Sequence, residues 1–533
     1  MTPLAIGSLV LGYFLLLLLV AHWTGRKAKN ADYFIGGHRS PWPLVSFGMI
    51  GASLSGVTFI SVPGVVGNLS SPNQQFSYMQ LVLGYLVGYA IIALILMPLY
   101  YRLRLTSIYT YLDQRFGPTS YLTGAWFFLL SRTLGSTFRI FLVTVVFQSF
   151  ILDAMGVPYI ATIAVTLVLI WLYTYQGGIR TIVYTDTLQT AFMLASVAFT
   201  AWYISGELDL SLGQVFPAIR EAGLGKWFFG DPSASTFFGK QFLAGAAIST
   251  VMTGLDQDMM QKNNSCPNIR DAQKNMAVFS VVLVGVNLLF VTLGALLYLY
   301  IAQTGIAMPA KTDFLYPMLA FEHFPPLLGA IFVIGLVAAA FSSADSAITA
   351  LTTSFCVDIL GVEVDREAHI PVQLSAADLQ EEAARETRIR NTRYTVHGGI
   401  SLLILFTCYG FYTWSSGDVL GNIFQAAGFT YGPLLGLYGF GLFSKRPIRD
   451  RLTPFVCIGS VLICLALAGQ SIVGPLIGLD AAAIAAWKEG VTQALGGYQI
   501  GFEILIYNGM LTALGLWAIS RNPHASPSTA NKE

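Results

Sequence analysis

A chain of 533 residues in which 55% are hydrophobic and 11% charged, with a mean hydropathy of +0.64, carries more apolar surface than a water-soluble core can use. Apolar stretches of roughly 18 or more residues recur along it, and about 20 helical residues cross the hydrocarbon of a bilayer, so the sequence predicts an all-α, multi-pass integral membrane protein and excludes a soluble domain. The net charge of +1 adds nothing, because in such a protein the distribution of charge matters and the sum does not.

Thirteen membrane spans are predicted, at about 4–21, 42–65, 76–99, 121–152, 157–175, 182–206, 235–258, 276–302, 325–356, 396–415, 418–443, 452–470 and 501–519. The first lacks a charged leader and a small-residue cleavage site, which predicts a retained helix and not a signal peptide. The second, "FGMIGASLSGVTFISVPG" (Phe47–Gly64), and the seventh, "LAGAAISTVMTGLDQDMM" (Leu243–Met260), are interrupted by small polar residues. Lipid cannot satisfy the carbonyls such a break frees, so a broken helix is expected where it lines a cavity; tight small-residue packing is the other reading of each break. The fourth span carries Arg132 and Arg139. Asp186 opens the predicted sixth span in "YTDTLQT" and reads either as a helix cap or as an ion ligand.

The ninth span holds "GLVAAAFSSADSAITALTT" (Gly335–Thr353). Ala339, Ser342, Ser343 and Ser346 recur at helical spacing on one face, with Asp345 and Thr349 beside it. Oxygens converging on one strip suit a hard cation such as sodium. A mid-span carboxylate costs about 2.5–3.5 kcal/mol to insert, which makes it a functional candidate.

Lys and Arg concentrate in the connections after odd-numbered spans, including Lys262, Arg270 and Lys274 after the seventh, which predicts the N-terminus outside and the C-terminus cytoplasmic in a plasma (cytoplasmic) membrane. The connection at 357–395 reads as a solvated linker with a short surface helix near Ala376 to Arg390. Five cysteines in or near spans imply no disulfide framework, and six histidines have no metal-ligand spacing. No nucleophile elbow or phosphate loop is present, so an enzyme is not expected.

"NADYFIGGHRSPWPLVSFGMIGASLSG" (Asn30–Gly56), "GGIRTIVYTDTLQ" (Gly177–Gln189) and "SSADSAITALTTSFCVDIL" (Ser342–Leu360) resemble the signature regions of the sodium:solute symporters, which include sodium/glucose, proline and sialic acid carriers. The resemblance implies one transporter domain over 1–533 with an inverted five-plus-five repeat core at 42–443, its halves at 42–206 and 235–443. Peripheral helices at 1–23 and 452–519 and a tail at 520–533 complete it.

It also implies a sodium site made by carbonyls of Gly51, Leu54 and Ala339 with the hydroxyls of Ser342 and Ser343, and a second at Asp186, Ser342, Asp345 and Ser346. Asp345 departs from the family pattern, where a hydroxyl is common, and could hold a proton or an arginine instead. Substrate contacts are expected from Ser53, Ser55, Thr58, Tyr78, Gln80, Arg139 and Gln425. Arg139 matches a position at which sialic acid carriers offer an arginine to a carboxylate; its rival role is pairing with Asp345 or another buried acid. The function expected is sodium-coupled import of a small polar solute, preferably an organic acid or acidic sugar, by alternating access. A proton-coupled carrier of a sugar or amino acid is the alternative. Lipid surrounds the chain, and neither nucleic acid nor an obligatory protein partner is expected.

Overall fold

Prolines mark where several helices begin, because a fixed φ and a missing N–H are harmless in a first turn. In the computed structural model, which describes residues 3–25, 33–34, 39–103, 105, 107–174, 178–362, 376–414 and 419–521, the described residues are helical apart from turns, loops and one isolated bridge. The helices used below are α1 (Pro3–Gly25), α2 (Trp42–Ser53), α3 (Gly56–Val65), α4 (Tyr78–Ile91), α5 (Pro118–Phe147), α6 (Tyr159–Thr174), α7 (Gly178–Glu207) and α8 (Phe238–Ser249). They continue with α9 (Gln257–Asn264), α10 (Ile269–Thr304), α11 (Pro326–Ser354), α12 (Ala376–Trp414), α13 (Val419–Phe443), α14 (Thr453–Ala468) and α15 (Ile504–Ala518). Pro opens the first turn of α2, α5, α11 and α14.

Among the described residues, eight helices are long and apolar enough to cross a membrane, or nine when the bent pair α2/α3 counts as one span. The linker residues 363–375, the tail residues 522–533 and, in the Asn30–Gly56 motif, residues 30–32 and 35–38 lie outside the described residues. The surface helix expected near Ala376 belongs to α12, which runs unbroken to Trp414.

The middle of the molecule is α11, in which every residue from Gly335 to Ser354 is buried. It packs against α7, α5, α2 and α9. α5 starts after Gly117, whose φ of +131° only glycine adopts without strain. Its free first-turn amides at Thr119 and Ser120 each donate 2.8 Å to the carboxylate of Asp450, a cap supplied from far along the chain.

Both predicted breaks are present. α2 and α3 meet at 56° across Leu54 and Ser55, both in extended backbone. α8 passes through a π-turn at Thr250–Gly254, then Leu255 and Asp256, before α9 resumes. The side chain of Asp256 caps α9 by accepting from the amide of Asp258 at 2.9 Å.

Candidate functional site

The first break opens against α7 and α11. Gly48 and Gly51, one turn apart on α2, allow this approach: a Cβ on Gly48 would lie 3.1 Å from that of Asp186, and one on Gly51 would collide with Thr190 and lie 3.2 Å from Ser342 Oγ. The amide of Leu54 closes the last α2 bond on Ile50, and the next backbone bond runs from Phe59 to Ser55. Among the described residues no backbone amide takes up the carbonyls of Gly51 or Leu54. Gly51 itself packs against Ser342 of α11, and on that helix Ser343 donates to the Ala339 carbonyl at 3.1 Å. An all-oxygen set of carbonyls and hydroxyls is the ligand chemistry of a hard monovalent cation.

Beside this face lies a chain of buried charges. Asp186 is fully buried, and its carboxylate accepts from Ser342 Oγ at 2.7 Å and Ser346 Oγ at 3.3 Å. It does not cap a helix: α7 starts at Gly178, about two turns before Asp186, so the cap reading fails. Lys262 Nζ reaches Asp186 Oδ2 at 2.8 Å, Ser346 Oγ at 2.7 Å and Asp258 Oδ1 at 3.6 Å. Asp258 also pairs with Arg132, which lies 3.7 Å from Asp256, and Asp256 accepts from the hydroxyl of Tyr431. Asp345 accepts from Tyr173 at 2.8 Å and from the Ser346 amide.

A cavity of about 80 Å³ adjoins the break, lined by Ser53, Ser55 and Thr58, by Tyr78, Tyr85 and Tyr89 of α4, and by both arginines of α5. Thr253, Asn287 and Phe424 complete its wall, and Phe424 sits between the rings of Tyr78 and Phe502. A larger crevice of about 470 Å³ between α1, α5, α6 and α11 is lined almost wholly by apolar side chains such as Val10, Phe14 and Leu169. It offers little to orient a polar solute.

The predicted site residues therefore divide. Ser53, Ser55, Thr58, Tyr78 and Arg139 line the cavity, whereas Gln80 and Gln425 do not. The amide group of Gln80 donates to the Thr236 carbonyl at 3.0 Å and accepts from the Phe229 amide at 3.3 Å, holding the loop that precedes α8. Gln425 donates to the Ala468 carbonyl of α14. Among the described residues Arg139 does not pair with Asp345 and makes one hydrogen bond, at 3.4 Å, to the Ala52 carbonyl at the break.

Arg132, Asp256, Asp258, Lys262 and Tyr431 were not expected in the site. Lys262, assigned by the sequence to a cytoplasmic connection, is 1% exposed inside α9. The signal was present in "LDQDMMQK", three charges beside a helix break, but apolar periodicity ends there.

A multi-pass helical bundle with a broken helix facing a hydroxyl-bearing helix and a polar cavity has the form of a membrane carrier. The family model for the sodium:solute symporter family matches residues 33–369, and the chain belongs to that family. It is 21% identical over 477 residues to the sodium/sialic acid symporter SiaT of Proteus mirabilis, covering 87% of this chain and 90% of that one. It is 23% identical to the sodium/sialic acid symporter NanT of Aliivibrio fischeri over 81% of each. A solved substrate-bound, outward-open structure of a sodium-coupled sialic acid symporter superposes with a TM-score of 0.75 at 18% identity, covering 97% of this chain and 98% of that one. Sodium is the coupling ion.

Proposed function

We propose that the chain imports a small organic acid or acidic sugar together with sodium by alternating access, and that the solute's carboxylate binds Arg139. The observation that carries this reading is a guanidinium in the cavity without a countercharge. Among the described residues no carboxylate lies within ion-pair distance of Arg139, while Arg132, about two helical turns away, has Asp256 and Asp258. A buried, unpaired guanidinium is costly unless a ligand completes it, and it recognises a carboxylate through two parallel bonds. Ser53, Ser55 and Thr58 would meet the hydroxyls of such a solute and Tyr78 its apolar face. The likeness to two sialic acid symporters supports the same class.

Sodium binds the carbonyls of Gly51, Leu54 and Ala339 and the hydroxyls of Ser342 and Ser343. Holding α2 to α11, it favours the outward-open arrangement, and its release inside frees the solute. The membrane potential adds about 2.3 kcal/mol per charge per 100 mV. In this reading thirteen spans include two inverted five-helix repeats, 42–206 and 235–443, made by spans two to eleven, with the N-terminus outside and the C-terminus in the cytoplasm. Uptake of radiolabelled sialic acid and of simple organic acids into proteoliposomes tests it. Uptake that needs inward sodium supports the proposal; uptake driven by a pH gradient without sodium, or confined to uncharged sugars, rejects it.

A further inference from the structure

Lys262 is a buried charge that the symport cycle described above does not use. It lies on α9, held there because Asp256 restarts the helix after the break. An ammonium has three N–H donors and a single full charge. Here it faces three oxygens from three different helices: Asp186 of α7 at 2.8 Å, Ser346 of α11 at 2.7 Å and Asp258 of its own helix at 3.6 Å. Asp186 and Ser346 belong to the oxygen set that the family resemblance assigns to a second sodium ion. Asp186, Ser346 and Lys262 are each at most 1% exposed, so no solvent screens the ammonium from a second cation seated among the same oxygens.

We propose that Lys262 is a tethered cation that occupies the second ion site, so that one sodium, at the α2/α11 site, is carried with each solute. The inference rests on the sodium site described above and adds its stoichiometry. Two features support a permanent occupant over an incidental ion pair. The ammonium uses the same donor set an ion would, carboxylate plus serine hydroxyl, and so satisfies α7 and α11 in the same way. Through Asp258 it also joins that set to Arg132 in the wall of the solute cavity, a connection that a diffusible ion at Asp186 and Ser346 lacks.

Equilibrium binding of radioactive sodium to purified full-length protein, with parallel measurement of the sodium-to-solute ratio from reversal potentials in proteoliposomes, tests this. The wild type is expected to bind about one sodium per chain, Lys262→Met about two, and Lys262→Arg about one, because each added or removed tethered charge changes the complement of counterions by one. Should Lys262→Met fail to fold, the wild type alone decides: two bound sodium ions per chain overturn the proposal. One sodium in both wild type and a folded Lys262→Met also overturns it, since the lysine then excludes nothing. A wild type that binds none removes the α2/α11 site itself, and this inference with it.

Discussion

The two broken helices solve the same problem in opposite ways. Between α2 and α3 the break carries no charged side chain, and among the described residues no backbone amide takes up the oxygens of Gly51 and Leu54; in the proposed cycle the positive charge comes from solution. Between α8 and α9 the break is followed by Asp256, Asp258 and Lys262, so the chain brings both signs of charge with it. A site meant to fill and empty is built from neutral dipoles, which lose little when the ion leaves. A site meant to stay assembled is built from ionised groups, which cost too much to leave unpaired.

Mutations at the two breaks should separate in kind as well as in size. The largest effect is expected from Arg132→Met, which takes from Asp256 its guanidinium and leaves Asp258 with Lys262 alone: about 3–5 kcal/mol of stability should be lost, read as a fall in detergent thermal stability that sodium does not restore. A variant of unchanged stability would mean that the second break is hydrated and open like the first. Next comes Arg139→Lys, for which solute affinity should weaken by about 1.5–3 kcal/mol while sodium binding without solute stays near wild type. Loss of sodium binding there would tie Arg139 to the ion face and undo the separation between cavity and cation site.

Ser343→Ala removes one neutral ligand and should raise the sodium concentration for half-maximal uptake by an amount equivalent to about 0.5–1.5 kcal/mol, with folding preserved. The companion Ser342→Ala should act on both sites, because Ser342 also donates to Asp186. The smallest change in transport is expected from Gln80→Ala. It loses a loop contact worth about 1 kcal/mol of stability, and an isotope-uptake assay should give an unchanged half-saturation for solute.

Much of this organisation is legible in the sequence because lipid imposes simple rules. Apolar length marks the helices, and glycine and serine in mid-span mark the breaks. The repeat of hydroxyls in "SSADS" puts Ser342, Ser343 and Ser346 on one face. What escaped depends on rotation and on neighbours. Tyr78 faces the cavity, and Gln80, two residues later, is turned about 200° around the helix axis away from it; Gln425 follows the cavity residue Phe424 by about 100°. Lys262 lies within a polar stretch that looks like a connection, and the carboxylates of Asp186 and Asp258 with the Ser346 hydroxyl make its burial tolerable. The onset of α7 was placed too late because Thr181, Thr185 and Asp186 are polar, although all three are buried against neighbouring helices.

The charge cluster also bears on how the protein is made. Inserted alone, α9 would take three ionised groups into or beside the membrane, at about 2.5–3.5 kcal/mol each on the insertion scale. In the order of synthesis, Arg132 and Asp186 leave the ribosome before Asp256, Asp258 and Lys262. The nascent chain thus already holds one partner of each sign when the charged helix arrives, and the seventh span can be received by waiting counterions instead of by bare lipid.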